Sequence, residues 1–417
     1  MYEVRLYIFK IAEGLYFFWY RKFIFKVDVT KCEEARKLLC IRQRQEIYMQ
    51  SNSPTLPIAF SEAKTSLTSQ PTTTKYDEAE QQFIELLEME ELDQKIEVQP
   101  SLVTNLEKAI TTALGDAYEK EPGDDAAHRF LQRILYRINR LKLFWYDDLR
   151  HYTNERSNYL RTVRDRIEAV WQPWELAQLD VEALQQVDVK QALVERAAAD
   201  LNPPLSEDSR YLQEAMSERG YHHLLAIASF DGLVEASRLS RILGGAANEV
   251  QATLTRVLLE EYGNGRLNRK HSTFFAQMLA EFGMHTEPEA YFDLVPWQVL
   301  AGINHNFLLT ERKRYFLRYN GGLAYFEVAG PAAYRNYLAA AQRLGLSNAA
   351  MGYWELHIKE DERHGRWMMD DVALPLAEQY PDQAWEILLG YDQEKLIGDR
   401  ASAAVVRSVR QAECSPL

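Results

Sequence analysis

The chain is poor in cysteine, in positive charge and in long apolar runs. Three of its 417 residues are cysteines, Cys32, Cys40 and Cys414. Their spacing suits neither a zinc site nor a disulfide framework, which points to a reducing cytoplasm. Lys and Arg number 48 against 61 Asp and Glu, a formal net charge of −13. So acidic a surface repels phosphate backbones and anionic headgroups, so neither nucleic acid nor a membrane is expected as a partner. No uncharged apolar run reaches the roughly 18 residues that a spanning helix needs. The Phe-, Tyr- and Ile-rich stretch from Val4 to Val27 is broken by Arg5, Lys10, Glu13, Arg21 and Lys22. It also lacks a small-residue cleavage site behind a clean apolar core, which argues against a signal peptide. It reads as a poorly ordered extension, with Met49 as a candidate true start.

What is present is helix. Residues 51–75, SNSPTLPIAFSEAKTSLTSQPTTTK, have the Ser/Thr/Pro density of a linker, so 1–75 is expected to be extension and linker. From Tyr76 onward apolar residues recur at helical spacing, as at Phe83, Leu86, Leu87 and Leu92. A helix is expected over 101–119 and ends at Pro122-Gly123. A longer one is expected from Asp124 to Trp171, stopped by Pro173, with Leu131, Leu135, Ile138, Leu141, Phe144 and Trp145 in its stripe. A stripe of that length calls for a partner helix or a second subunit, so 76–203 is expected to be a helical, dimerising region of a homodimer. Asn202-Pro203-Pro204 marks the clearest boundary, and Ser206 suits a helix N-cap. Residues 204–410 read as helices with breaks at Gly220, Gly244-Gly245, Gly263-Asn264-Gly265, Pro296, Asn320-Gly321-Gly322 and Gly330-Pro331. No convincing alternating strand appears, so the fold class is all-α.

The chemistry concentrates in YWELHIKEDERHGRWMMDD, residues 353–371. At 100° per residue, His357, Asp361 and His364 lie at about 0°, 40° and −20°, on one helical face. Two imidazoles and a carboxylate so placed form half of an iron or manganese site, against the alternative of a solvated face among Lys359, Glu360, Glu362 and Arg363. Glu327 lies in the apolar run GGLAYFEVAGP, where a carboxylate is costly unless it is paired or bound to metal. In LLEEYGNGRLNRKHSTFF, Glu261 and His271 would be about 80° apart on an unbroken helix, on which Glu260 would align with His271 instead. The Gly263-Asn264-Gly265 break offers a place for the missing rotation, and the sequence leaves the two glutamates as alternatives.

The order Glu261, His271, Glu327, then His357, Asp361 and His364 resembles the haem-oxygenase-like di-iron oxidase and oxygenase family, over residues 205–400. The resemblance implies a seven-helix bundle in which these residues hold two Fe(II) ions, with O2 as co-substrate. It implies a small-molecule substrate and leaves room for an external electron donor. The N-oxygenating members are nearest, since they place the first Glu and His similarly far apart and carry an extra carboxylate one helix earlier, for which Glu235 in SFDGLVEASRL is the candidate. That implies N-oxygenation of an amine- or guanidine-bearing metabolite. The alternatives are oxidative carbon–carbon cleavage or decarboxylation of a fatty or amino acid, and a metal-free hydrolase or oxidase of the same fold. A ferritin-like site is disfavoured because the chain contains no Glu-x-x-His. Tyr262, Phe274, Phe275, Tyr325, Phe326, Tyr353 and Trp354 are candidates for the cavity lining, and Arg266, Arg269 or Arg318 for holding a substrate carboxylate. The remaining histidines, at 128, 151, 222, 223, 285 and 305, show no ligand spacing and read as structural.

Overall fold

A computed structural model describes residues 9–11, 14–16, 75–145, 148–245 and 248–414. Within the first 66 residues, strands β1 (Phe9–Ile11) and β2 (Gly14–Tyr16) pair antiparallel, with Phe9 opposite Tyr16. The remaining expectations for 1–74, including the linker and Met49, lie outside the described residues.

From Lys75 on, all regular structure among the described residues is helical, as expected. The first layer comprises α1 (Asp77–Leu87), α2 (Leu92–Val98), α3 (Thr104–Tyr118), α4 (Asp125–Arg140) and α5 (Asn158–Leu176). The expected single helix over 124–171 is two helices. The first ends at Arg140, and Ser157 caps the second through a hydrogen bond from the Leu160 N–H at 3.3 Å. Pro173 does not stop the second helix but lies inside its last turn. Most of the apolar stripe is covered within the chain: Leu131, Leu135, Ile138 and Leu141 lie in one core cluster with Ile167 and Trp171, while Phe144 stays exposed. The stripe therefore does not by itself require a second subunit.

Short α6 (Val181–Leu184) and α7 (Val189–Leu201) lead to the Pro203-Pro204 break, and Ser206 caps α8 (Glu207–Glu214) as the sequence suggests, accepting from the Ser209 N–H at 3.0 Å. Then come α9 (Glu218–Gly232), α10 (Glu249–Glu261), α11 (His271–Glu281), α12 (Trp297–Glu311), α13 (Phe316–Arg343), α14 (Gly352–Trp367), α15 (Leu374–Gln379) and α16 (Trp385–Cys414). Gly220 lies in the first turn of α9, not at a break; Ser217 is the cap.

The largest departure from expectation is α13. Neither Asn320-Gly321-Gly322 nor Gly330-Pro331 interrupts its 28 residues. The glycines serve close approach instead. A Cβ on Gly321 would stand 1.9 Å from the Ile387 carbonyl oxygen, and one on Gly390 would stand 1.9 Å from that of Arg318, so α13 and α16 cross backbone to backbone. Pro331 lacks the N–H that would bond the carbonyl of Glu327 four residues earlier, and that carbonyl faces Gly365 of α14. After α14 the chain widens into a π-helical turn, Met368–Ala373. Pro375, which likewise offers no N–H to the preceding turn, accounts for the shifted register. No helix among the described residues is long and apolar enough to cross a membrane.

Candidate metal centre

Four helices bring the chemistry together. Glu261 ends α10, His271 opens α11, Glu327 sits mid-way along α13, and α14 carries His357, Asp361 and His364. All six are buried, and His364 is fully so. Glu235 comes from the turn after α9 and is half-buried. The structure thus assembles all seven residues singled out by sequence, and it separates the two adjacent glutamates. Gly263, Asn264 and Gly265 all take positive φ, at 61°, 53° and 77°. This left-handed turn supplies the rotation and swings His271 back onto Glu261. Gly263 is doubly required, since a Cβ there would lie 2.4 Å from the Arg269 carbonyl carbon.

The cluster has two halves joined by Glu261. In the first, Glu261 Oε2 lies 2.9 Å from His271 Nδ1, His271 Nδ1 lies 3.1 Å from His357 Nε2, and His357 Nε2 lies 3.4 Å from Glu235 Oε2. In the second, His364 Nδ1 lies 3.5 Å from Glu261 Oε1, 3.4 Å from Glu327 Oε2 and 3.9 Å from Asp361 Oδ1. Glu235, Glu261, His271 and His357 present donor atoms mutually within 4.8 Å, and so do Glu261, Asp361 and His364.

Outer partners fix the rings. His357 Nδ1 donates to the Tyr353 carbonyl at 3.0 Å, which leaves Nε2 as a lone pair facing the cluster. His364 uses Nε2 on Glu260 at 3.0 Å, which turns Nδ1 inward. Glu260 is therefore the orienting carboxylate and Glu261 the inward one. A third acidic group, Glu260, Glu360 and His364, already holds a cation, because Arg363 bonds both of its carboxylates. The Tyr353 hydroxyl donates to Glu235 Oε2.

The electrostatics of the cluster favour a bound cation. Burial pushes the Glu235 carboxyl up, and burial together with the Glu327 charge pushes Asp361 well above the carboxylate range. Burial alone would strip the protons from His357 and His364. Glu235 nevertheless holds His357 up to about 10, and Glu327 holds His364 up to about 9. Inside the cluster Asp361 Oδ2, Glu235 Oε1 and His364 Nδ1 have no hydrogen-bond partner. Four carboxylates sharing a buried space with orphaned donor atoms require positive charge, and two divalent cations would balance them. Oxygen and imidazole donors in these numbers suit iron. The residues present therefore fit a metal centre.

Glu235, Glu261, Glu327, His357 and Asp361 open onto a cavity of about 290 Å³. Of the aromatic residues expected there, Tyr325, Phe326 and Tyr353 line it, joined by Tyr319 and Tyr334, which the sequence did not single out. Phe275 and Trp354 are core and Phe274 packs against that core, while Tyr262 bonds Ser237 Oγ at 3.4 Å. None of the three candidate arginines lines the cavity: Arg266 and Arg269 are exposed, and Arg318 pairs with Glu386 at 2.6 Å. Arg238, which does line it, was missed because nothing in its local sequence distinguishes it from a surface residue. The six other histidines stay out of the cluster; His128 stacks on Trp297 and His223 bonds Ser408 at 2.8 Å.

The comparisons agree with this architecture. Residues 222–393 match the family model described as iron-containing redox enzyme, so this segment is similar to a haem-oxygenase-like domain. The matched segment contains all seven cluster residues. Among curated proteins the chain is similar to nitrosourea synthase of Streptomyces achromogenes subsp. streptozoticus, at 27% identity over 187 residues. That match covers 45% of this chain and 40% of the relative's length.

The orienting role of Glu260 is open to test. Glu260→Ala is expected to weaken ferrous binding by roughly 10- to 100-fold with little change in fold, as loss of an outer partner to a ligating imidazole does. Competition against a chromogenic chelator measures it, and an affinity equal to wild type would show that Glu260 is only a surface partner of Arg363.

Proposed function

We propose that this chain is a non-haem di-iron oxygenase that uses O2 to oxidise a small molecule, by N-oxygenation of an amine- or guanidine-bearing metabolite. The observation that carries the reading is Glu261, whose two carboxylate oxygens face different imidazoles, His271 and His364, and so join two ligand groups into one centre. Glu235, Glu261, His271 and His357 would hold one iron; Glu261, Glu327, Asp361 and His364 would hold the other. Ferrous iron so held would supply the electrons with which O2 is reduced.

The rest is the work of the chain's own side chains. Tyr353 and Glu260 keep His357 and His364 in the tautomers that present a lone pair inward. The Tyr353 hydroxyl steadies Glu235, the additional carboxylate that favours N-oxygenation over the open site expected for carbon–carbon cleavage. Leu239, Val257, Ile303 and Leu309 on the cavity wall exclude water from the bound substrate. The similarity to a nitrosourea synthase, whose name denotes a nitrogen-bearing product, supports the same reading.

The test combines metal and product analysis. Anaerobic ferrous titration should reach close to two irons per chain, and aerobic turnover of amine or guanidine candidates should yield a product with one more oxygen on nitrogen by mass spectrometry. Zinc that resists exchange, or loss of carbon dioxide with alkene formation, would overturn it.

A further inference from the structure

The cavity has a second polar end. Asp231, Arg238, Asn306 and Glu394 line the same space as Glu327. Three of these four satisfy one another: Arg238 Nη2 donates to Asp231 Oδ1 at 2.6 Å, and Arg238 Nε donates to Asn306 Oδ1 at 3.0 Å. Glu394 is different. It makes no hydrogen bond and no ion pair among the described residues. It is half-buried on α16, and its carboxylate lies over Gly322 of α13, where a Cβ would meet Oε2 at 3.3 Å. Burial pushes this carboxyl up to about 7, with Arg238 pulling the other way and Asp231 adding to the rise. A lone carboxyl on a cavity wall is costly until something in the cavity completes it.

Sign, reach and wall together describe what would complete it. A carboxylate is completed by a donor carrying positive charge, and the one arginine nearby is already engaged by Asp231 and Asn306. Gly322 beneath Glu394 and the candidate ligand Glu327 stand five residues apart on α13, about 7.5 Å along its axis. Tyr319, one turn before Gly322, and Tyr334 line the same cavity. Val299, Ile303 and Leu323 make part of the cavity wall apolar, which suits a hydrocarbon spacer.

We propose that Glu394 is the recognition residue for a cationic group, an ammonium or guanidinium, at the end of the substrate remote from the metal centre. The substrate is then an elongated small molecule whose cationic terminus is separated by a short aliphatic chain from the group presented to Glu235 and Glu327. The second half of this statement rests on the proposed oxidation; the pairing at Glu394 rests on binding alone.

Calorimetry on the full-length, ferrous-loaded chain under anaerobic conditions tests it, with 1,5-diaminopentane, 1-aminopentane, pentan-1-ol and pentanoate as probes. Both amines are expected to bind wild type more tightly than the alcohol or the acid. Glu394→Gln should weaken the amines by roughly tenfold or more, the value of one charge-assisted hydrogen bond, and leave the alcohol unchanged. Glu394→Asp should restore part of the loss. Because Glu394 has no partner in the fold, the glutamine variant is expected to keep the wild-type melting temperature and iron content. Unchanged amine affinity in Glu394→Gln, no amine binding to wild type, or tighter binding of pentanoate would each overturn the assignment. Iron content and oxygen uptake on the same samples report on the oxidation separately. A chain that binds no iron, yet loses amine affinity with Glu394→Gln, would defeat the oxygenase reading and support this one.

Discussion

Glu261→Ala is expected to abolish iron binding at both positions, whereas Glu327→Ala is expected to spare the half built on His271 and His357. The difference follows from placement. Glu261 is the one carboxylate of the cluster with an oxygen near an imidazole of each half, 2.9 Å from His271 and 3.5 Å from His364. Removing it takes a ligand from both irons and leaves His271 and His357 with Glu235 as their only carboxylate. Removing Glu327 takes a ligand from one. Elemental analysis after anaerobic loading should give near-zero iron for the first variant and close to one iron for the second, against close to two for wild type. Oxygen consumption should vanish in both, since the proposed reaction draws electrons from two metals. One retained iron in Glu261→Ala would mean that the halves are independent sites, and the bridging role would be wrong.

The second large effect is on stability. Gly390→Ala and Gly321→Ala each drive a methyl group to within 1.9 Å of a backbone carbonyl oxygen on the facing helix, an overlap that no rotamer change can relieve. Overpacked cores lose about 1–3 kcal/mol and sometimes more, and a backbone-to-backbone clash belongs at the upper end. At about 2.1 cal/mol/K of unfolding entropy per residue, a cooperative body of roughly 340 residues shifts by about 1.4 °C per kcal/mol, so the melting temperature should fall by roughly 4 °C or more. Gly322→Ala is the control, because its nearest neighbours stand at 3.3–3.5 Å. Because Glu327 is six residues beyond Gly321 on the same helix, the clash should also disturb iron binding. Melting curves for Gly321→Ala and Gly390→Ala that overlay wild type would show that α13 and α16 separate easily, contrary to the packing described.

These two cases show what local sequence carries and what it omits. The triad on α14 was legible because its ligands share one helix, where spacing alone fixes direction. Glu327 was legible from its apolar neighbours. The choice between Glu260 and Glu261 was not, because it depends on the left-handed turn at 263–265, whose rotation a helical wheel does not contain. The α13 glycines were misread as breaks because a glycine that ends a helix and a glycine that lets two helices touch look alike in one dimension. The Asp124–Trp171 helix failed for a related reason: its apolar period continues through Leu141 and Phe144, while the backbone leaves the helix after Arg140. Arg238 and Glu394, which shape the cavity, gain meaning only in the fold, where Asp231 and Asn306 engage the arginine and Gly322 of α13 lies beneath the glutamate.

The pairing of the early helices with the ligand-bearing ones bears on how the molecule is divided. Asn304 of α12 donates to the Gln132 carbonyl at 2.8 Å and accepts from Asn139 at 3.1 Å, both on α4. Leu184 and Leu193 share a core with Leu254, Val257 and Val328, the last next to Glu327. Arg164 reaches Glu311 at 2.6 Å, and Arg196 clasps Asp392 at 2.7 and 2.9 Å. The segment matched by the family model is therefore packed with the N-terminal helices into one compact unit, Leu67–Leu417. Excised at residue 222, it would present a buried amide and an open hydrophobic seam to water, so the centre and its N-terminal helices are expected to melt in a single transition.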